Sequence, residues 1–308
     1  MVRSYPFVQV DVFTDRVFGG NPLAVFPDAE GLSDAELLAI GREMNLSETT
    51  FVFPPQRPDH AARVRIVTPT QELPFAGHPT IGTAYVLATL GRLPPGAREI
   101  VLEEGVGPIR VRLEGDPAAP SFLWMGHPPA AFGAGLPDRA AIAAALGLAA
   151  DDLLPGAPIA SGSTGLPFLY VPLRDRAAVD RAWLDLAALR PLLPPGTPAD
   201  VFVFAVDPDP RPDGATAAYS RMFAPADGIP EDPATGSASG PLGAYLVRHG
   251  LASPAADGAA VRIVSEQGAK MGRQSFVHIA VETSSGEPAA IRVGGAAVPV
   301  LDGTLRLP

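Results

Sequence analysis

The chain has 308 residues, of which 47% are hydrophobic, with a formal net charge of −10 and no cysteine. The absence of cysteine excludes disulfides, thiolate metal ligands and thiol acid–base groups. The acidic balance, without a cluster of lysine or arginine, argues against a nucleic-acid partner. No apolar run reaches the ~20 residues that a membrane span needs, and no signal peptide is visible. We therefore expect a cytoplasmic protein of one large or two medium domains.

The first half of the chain is predicted to alternate strands and helices. Ser33 and Glu36 have the spacing of a capping box, and Asn45 is a suitable end, so a helix is expected between them. Alternating or β-branched apolar residues predict strands on either side of this helix. These strands are expected at residues 7–13, 23–26, 49–53, 63–67, 100–102 and 109–113.

Two glycine-led turns each open a helix of small residues. The first turn is residues 74–82 (PFAGHPTIG), with Gly77, and the second is residues 231–240 (EDPATGSASG), with Gly236. Because the turns lie about half the chain apart, they suggest two similar α/β halves that arose by internal duplication. A helix N-terminus carries free backbone N–H groups and a partial positive charge. The two turns therefore predict a site for a small anionic substrate.

The best candidate for a domain boundary is the turn at residues 115–117 (GDP). It predicts domains at residues 1–117 and 118–308, and the last strands, near 296–308, could return to the first domain. In the second half, helices are expected at 137–146, 176–189 and after Gly236. Strands are expected at 121–125, 167–173, 200–206, 217–223, 261–265 and 275–281.

Several segments, in order along nearly the whole chain, resemble the PhzF-like family, which is named for a phenazine-biosynthesis isomerase. The resemblance implies a diaminopimelate epimerase-like fold of the α/β (α+β) class. In that fold two similar domains each wrap a mixed or antiparallel sheet around a central helix, and the active site lies in the cleft between them. The resemblance also implies a homodimer, which is common in the family. The matching segments are residues 10–13, 20–25, 45–52 (NLSETTFV), 72–80, 221–225, 231–238, 267–268 and 272–273.

The resemblance also locates what this chain lacks. In relatives that use cysteine, such as the epimerases and proline racemases, a thiol precedes each of the two turn glycines. Ala76 and Thr235 stand at those places here. Epimerisation by two thiols is therefore excluded, and another group must move the proton.

Glu48 is the predicted catalytic acid–base group. It lies at a helix-to-strand junction beside the apolar residues 51–53, and burial there would raise a carboxyl pKa towards the working pH. From residue type alone, a solvated glutamate at a strand edge is the alternative. In the resembling family, the matching glutamate is the catalytic acid–base.

The predicted substrate-binding residues of the first half lie beside Glu48 in sequence or at the first glycine turn. His78 follows Gly77 in the first helical turn, where its N–H could hold a carboxylate or an enolate-like oxygen. The alternative is a histidine that donates to a neighbouring carbonyl. Gly77 contributes its backbone to this site, and Ser47 is included as a supporting donor next to Glu48.

The second turn supplies the other predicted substrate contacts. Asp232 precedes Pro233 and either caps the helix or, as its match in the family implies, binds the substrate's amino or hydroxyl group. Gly236 and Ser237 offer N–H groups and a hydroxyl to a carboxylate, with a simple helix cap as the alternative for Ser237.

The resulting hypothesis is a cofactor-independent isomerase that shifts a proton, and with it a double bond, on a small carboxylate-bearing substrate. The family resemblance implies a substrate similar to a dihydro-hydroxyanthranilate. No metal site or cofactor motif is predicted, because the histidines lack metal-ligand spacing and no dinucleotide fingerprint opens a helix. Two alternatives stay open. One is a non-catalytic small-molecule-binding protein on the same scaffold, and the other is a one-base racemase or epimerase.

Overall fold

The computed structural model describes residues 2–253, 255 and 259–308. The chain divides into two compact units, residues 1–126 with 294–308, and residues 127–293. Residues 115–117, the expected boundary, lie at the tip of a β-hairpin in which Asp116 pairs with Ala119. A turn rich in glycine and proline serves a hairpin as well as it serves a linker, so composition alone misplaced the border.

The first unit contains two helices, α1 (Asp34–Met44) and α2 (Gly77–Thr89). Its strands are β1 (Arg3–Val12), β2 (Asn21–Phe26), β3 (Glu48–Phe53), β4 (Ala62–Val67), β5 (Glu72–Leu73), β6 (Glu99–Glu104), β7 (Gly107–Asp116) and β8 (Ala119–His127). Strand β18 (Ala297–Leu307) adds to β1 in antiparallel register.

The second unit contains four helices, α3 (Arg139–Ala145), α4 (Arg176–Arg181), α5 (Leu186–Leu189) and α6 (Gly236–Arg248). Its strands are β9 (Ala131–Phe132), β10 (Ala160–Ser163), β11 (Pro167–Pro172), β12 (Val201–Val206), β13 (Thr216–Ala224), β14 (Ile229–Asp232), β15 (Val261–Gln267), β16 (Ser275–Ser284) and β17 (Glu287–Gly295). The two borders between the units fall at the ends of β8 and β17.

The two units share one order of strand pairings. In the first unit, β1–β2 is antiparallel, β2–β3 parallel, β3–β4 antiparallel, β4–β6 parallel and β6–β7 antiparallel. The second unit repeats this series with β10, β11, β12, β13, β15 and β16. In both units a short strand, β5 or β14, pairs with the fourth strand and leads into the long helix. This repeated topology is what an internal duplication produces.

The long helix of each unit lies in the interior. Eleven of the thirteen residues of α2 are buried, and α6 has the same number. A helix that is apolar and buried around its whole circumference must be surrounded by other elements. Within its unit, α2 packs against β1, β2, β3, β7 and β18, and α6 packs against β10, β11, β15 and β16.

The helix expected at residues 176–189 is two short helices. Asp175 caps α4 by accepting from the Ala178 N–H, and Asp185 caps α5 by accepting from the Ala188 N–H. Between them, the Trp183 and Asp185 N–H groups donate to the carbonyls of residues 146 and 145. These tertiary hydrogen bonds replace the helical ones, so the predicted continuous helix is wrong.

Candidate active site

Glu48 is the first residue of β3. Helix α1 begins with the predicted capping box of Ser33 and Glu36 and ends at Asn45, whose φ of 51° turns the chain out of the helix. Ser47, half-buried, then leads directly into the strand. Glu48 pairs in register with Leu23 of the parallel strand β2, and 13% of its side chain is exposed. The carboxylate is therefore neither freely solvated nor sealed in the core.

The N-terminus of α2 has no side chain to cap it. Its N-cap is Ala76, which has extended backbone and no side-chain hydrogen bond, and the first turn contains no acidic residue. Gly77 and His78 are the first two helical residues, so their N–H groups have no acceptor inside the helix. Pro79 follows them and has no N–H group at all. The positive end of the helix dipole is thus uncompensated by any acid in its own first turn.

His78 joins this helix end to Glu48. Its Nε2 lies 3.5 Å from Glu48 Oε2, and its Nδ1 lies 3.1 Å from the side-chain nitrogen of Asn21. Because an amide nitrogen donates, Nδ1 accepts, and the ring proton is on Nε2. Burial lowers the pKa of His78 to about 3. His78 is therefore a neutral imidazole whose Nε2–H faces the glutamate side.

Asn21 is the residue of this group that the sequence did not single out. It begins β2, is completely buried, and lies 57 positions before the histidine that it orients. The sequence contained one signal, since a buried Asn-Pro step at the start of a strand carries a polar side chain that needs a partner. The partner itself could not be read from local sequence, because it comes from a different element.

In the second unit, the start of α6 is fixed by side chains around its N-cap, Thr235. The Thr235 hydroxyl donates to Asp232 Oδ2 over 2.5 Å and accepts from Gln267 Nε2 over 3.0 Å. The Gln267 amide also accepts from the Thr235 N–H and donates to the Asp232 carbonyl. The hydrogen bonds of the Asp232 carboxylate thus include one from the N-cap side chain. Gln267 was not among the predicted site residues.

Gly236 and Ser237 are the first two helical residues of α6, the same positions that Gly77 and His78 occupy in α2. Ser237 is inside the helix, so the alternative that it serves as the N-cap is wrong; Thr235 has that position. Ser237 is 4% exposed, and its hydroxyl makes no side-chain hydrogen bond to the described residues.

The repeated topology also shows where the two units differ. Glu48 pairs with Leu23, the third residue of β2, and the matching pair in the second unit is Val201 with Leu169. An apolar residue thus replaces the carboxylate in the second unit. Within residues 2–253, 255 and 259–308, no group of three or more histidines and carboxylates could hold a metal ion.

The chain is similar to proteins of one family along almost its whole length. A sequence model of the PhzC-PhzF family, described as phenazine biosynthesis-like protein, matches residues 10–303. The chain belongs to this family. An uncharacterised isomerase of Mesorhizobium japonicum is 38% identical to it over 99% of both chains. The trans-2,3-dihydro-3-hydroxyanthranilate isomerase of Pseudomonas aeruginosa is 35% identical, over 94% of this chain and 95% of its own.

Solved structures confirm the predicted fold. The PhzF-family phenazine biosynthesis protein of Bacillus anthracis superposes with a TM-score of 0.83 at 25% identity, over 98% of this chain and 99% of its own. A probable proline racemase of Agrobacterium radiobacter shares the fold at 16% identity, with a TM-score of 0.62 over 97% and 92% of the two chains. This PhzC-PhzF family member is an isomerase with the epimerase-like fold. No helix in the described part of the chain is long and apolar enough to cross a membrane.

Proposed function

We propose that this isomerase moves a proton on a small, cyclic, carboxylate-bearing substrate, with Glu48 as the acid–base group and no cofactor. The observation that carries the proposal is the 3.5 Å approach of the neutral His78 Nε2 to the Glu48 carboxylate, beside an uncapped helix N-terminus. A carboxylate, a neutral N–H donor and free backbone N–H groups are the parts that a proton shift next to a carboxylate requires.

The reaction would proceed in two proton transfers. Glu48 removes a proton from a ring carbon, and the C–H electron pair enters the π system and extends onto the substrate's carboxylate oxygens. Protonated Glu48 then returns a proton to a second ring carbon, which restores the glutamate carboxylate and moves the double bond. No atom is gained or lost and no electron acceptor is consumed, so the proposed reaction needs no cofactor.

Charge builds up on the substrate's carboxylate between these two transfers. The N–H groups of Gly77 and His78 and the positive end of α2 would stabilise that charge. The His78 imidazole suits this role because a neutral ring donates a hydrogen bond without delivering its own proton to the intermediate. Ser47, directly before Glu48, would support the carboxylate.

We extend the proposal to Asp232, Gly236 and Ser237 as substrate contacts. The Ser237 hydroxyl and the first N–H groups of α6 suit an anionic oxygen, and Asp232 suits an amino or hydroxyl group. The ring of trans-2,3-dihydro-3-hydroxyanthranilate, for which the Pseudomonas relative is named, carries a carboxylate, an amino group and a hydroxyl group. We therefore propose a substrate of that class.

Replacing Glu48 with Gln tests the proposal. The amide keeps the shape of the side chain but cannot take a proton, so turnover of trans-2,3-dihydro-3-hydroxyanthranilate should fall at least ~100-fold. Deuterium incorporation from heavy water into the substrate should fall with it. Glu43→Gln, at an exposed position of α1, is the matched control and should leave both rates unchanged.

Product analysis separates the outcomes. A shifted double bond supports the isomerase, whereas exchange with inversion at one carbon and no shift supports a one-base racemase. Unchanged deuterium exchange in Glu48→Gln would exclude Glu48 as the acid–base group.

A further inference from the structure

Glu104 is a buried carboxyl group behind the N-terminus of α2. It is the last residue of β6, and 8% of it is exposed. Its Oε1 lies 2.5 Å from the Thr80 hydroxyl, and its Oε2 is buried without a hydrogen-bond partner among the described residues. An ionised carboxylate with an unpartnered oxygen is costly at such a depth, so the protonation state of this group needs explanation.

The Thr80 hydroxyl has one hydrogen and two close acceptors. Besides Glu104 Oε1 at 2.5 Å, the Ala76 carbonyl oxygen lies 2.6 Å away. Each of these two oxygen pairs needs a hydrogen between its atoms, because two oxygens at such a distance repel each other without one. Thr80 can supply one of the two, and a carbonyl supplies none. With Glu104 ionised, the single Thr80 hydrogen could serve only one of these two acceptors. A protonated Glu104 would supply the second hydrogen, so that its O–H donates to Thr80 while Thr80 donates to the Ala76 carbonyl.

This chain of two hydrogen bonds ends at the N-cap of α2. The backbone N–H of Thr80 is 3.4 Å from the Ala76 carbonyl, a long helical hydrogen bond, so the hydroxyl is the closer donor to that carbonyl. In α6, the Ser239 hydroxyl likewise donates to the carbonyl of the N-cap Thr235, at 2.9 Å, and the Ser239 backbone N–H lies 3.1 Å from the same oxygen. The first turn of α2 therefore depends on where the single Thr80 hydrogen points.

The second unit has a neutral group in the corresponding place. Gln267 ends β15 as Glu104 ends β6, and its amide holds the N-cap Thr235 by its N–H and its hydroxyl. A protonated glutamic acid has nearly the shape of glutamine and, like it, carries one donor and one acceptor side. With Glu104 protonated, both long helices would begin against a neutral side chain at the end of the neighbouring strand.

We propose that Glu104 is a positioning residue that stays protonated and, through Thr80 and the Ala76 carbonyl, holds the first turn of α2 in place. That turn carries Gly77 and His78, so the inference rests on the proposed function for its catalytic consequence. Ionisation of Glu104 would turn the Thr80 hydrogen towards the new carboxylate. The Ala76 carbonyl would then accept only the long hydrogen bond from the Thr80 backbone N–H. The N–H groups of Gly77 and His78 would lose their fixed direction.

The surroundings of Glu104 agree with a neutral acid. Burial raises the pKa of Glu104 to about 8, against a smaller lowering by the Thr80 hydroxyl.

The charged side chains on the elements around Glu104 interact with other groups. On β6, Glu103 accepts from backbone N–H groups of residues 56 and 57. Arg63 of β4 stacks on Phe53, Arg110 of β7 pairs with Glu99, and His78 of α2 is neutral.

Amide NMR of the full chain tests the positioning role without any substrate. In the wild type, the backbone N–H signals of Gly77 and His78 should shift with pH with an apparent pKa of about 8. Glu104→Gln should abolish this transition, because the amide cannot ionise, and Thr80→Val should abolish it by breaking the connection. Glu99→Gln, at the exposed start of the same strand, is the matched control and should keep the transition.

Kinetics provide the second measurement. As pH rises through about 8, the wild-type kcat/KM should fall to a plateau about 10- to 100-fold lower, and Glu104→Gln should not show this fall. Thr80→Ser should behave as the wild type. An amide transition that persists unchanged in Glu104→Gln, or its absence in the wild type, would overturn the inference. If no substrate turns over, the proposed function fails while the amide measurement still decides the role of Glu104.

Discussion

A histidine beside a carboxylate would usually take a proton and form an ion pair. His78 does not, because it is buried and because Asn21 donates to its Nδ1. The amide thereby fixes the tautomer that carries the proton on Nε2, 3.5 Å from Glu48. At the residue scale, side chains from three elements thus meet at a neutral imidazole. In the proposed function, Glu48 exchanges protons with the substrate and His78 donates a hydrogen bond.

The neutral state of His78 can be measured directly. With its pKa lowered to about 3, the imidazole should remain uncharged and protonated on Nε2 from pH 9 down to pH 5. Nitrogen-15 NMR of labelled protein should show pH-independent ring shifts, assigned by their loss in His78→Gln. A titration of these signals near pH 6.5 would contradict this arrangement.

The sequence revealed some of these residues and not others. Glu48 and His78 lie in local motifs, and their positions at a helix-to-strand junction and in a first helical turn were predicted correctly. The predicted strand ended at residue 102, yet β6 continues to the buried Glu104. Its partner Thr80 lies 24 positions away. Pairings between elements depend on sheet register, and no local pattern encodes them.

At the element scale, two glycines bring the long helices close to the sheets. A Cβ added at Gly82 of α2 would lie 2.6 Å from Leu23 Cδ2 and 2.8 Å from Val12 Cγ2. At Gly243 of α6, it would lie 2.5 Å from Ile279 Cγ2. Small residues are therefore required where each helix crosses the strands of its own unit. The sequence predicted small-residue helices, but not which strands they would meet.

Gly82→Ala and Gly243→Ala should each lower the free energy of unfolding by about 1–3 kcal/mol, because the added methyl group overpacks a closed interface. Urea denaturation followed by circular dichroism measures the change. Gly126→Ala is the control, since its Cβ would meet only the Arg110 carbonyl oxygen, at 3.8 Å. Equal stability of Gly82→Ala and Gly126→Ala would contradict the close approach of α2 to its sheet.

At the scale of the whole molecule, buried titratable groups set how stability depends on pH. Burial lowers the pKa of both His78 and His127 to about 3. The unfolded chain binds protons on these histidines below about pH 6.5 while the folded chain does not. Stability is therefore lost as pH falls, by about 1.4 kcal/mol per pH unit for each histidine. Glu104 acts in the opposite direction, since its raised pKa favours the folded state at low pH.

Replacing His127 isolates one of these contributions. His127 donates to or accepts from the Thr164 hydroxyl at 2.8 Å and packs against Gly240. Between pH 6.5 and 5, His127→Gln should lose about 2 kcal/mol less stability than the wild type. Urea midpoints at the two pH values measure the difference. If the stabilities of the two proteins changed in parallel with pH, His127 would take up its proton equally in the folded and unfolded chains. That result would contradict its lowered pKa.

The pairing of β18 with β1 has a consequence for how the enzyme is made. Strand β18 follows the whole of the second unit in the chain, yet it pairs with β1 from Arg3↔Leu307 to Val12↔Ala297. Synthesis proceeds from the N-terminus, and domains generally fold as units. Residues 127–293 can therefore complete their fold while the unit that holds Glu48 still lacks a strand. The first unit therefore becomes complete only after the whole of the second unit has been synthesised.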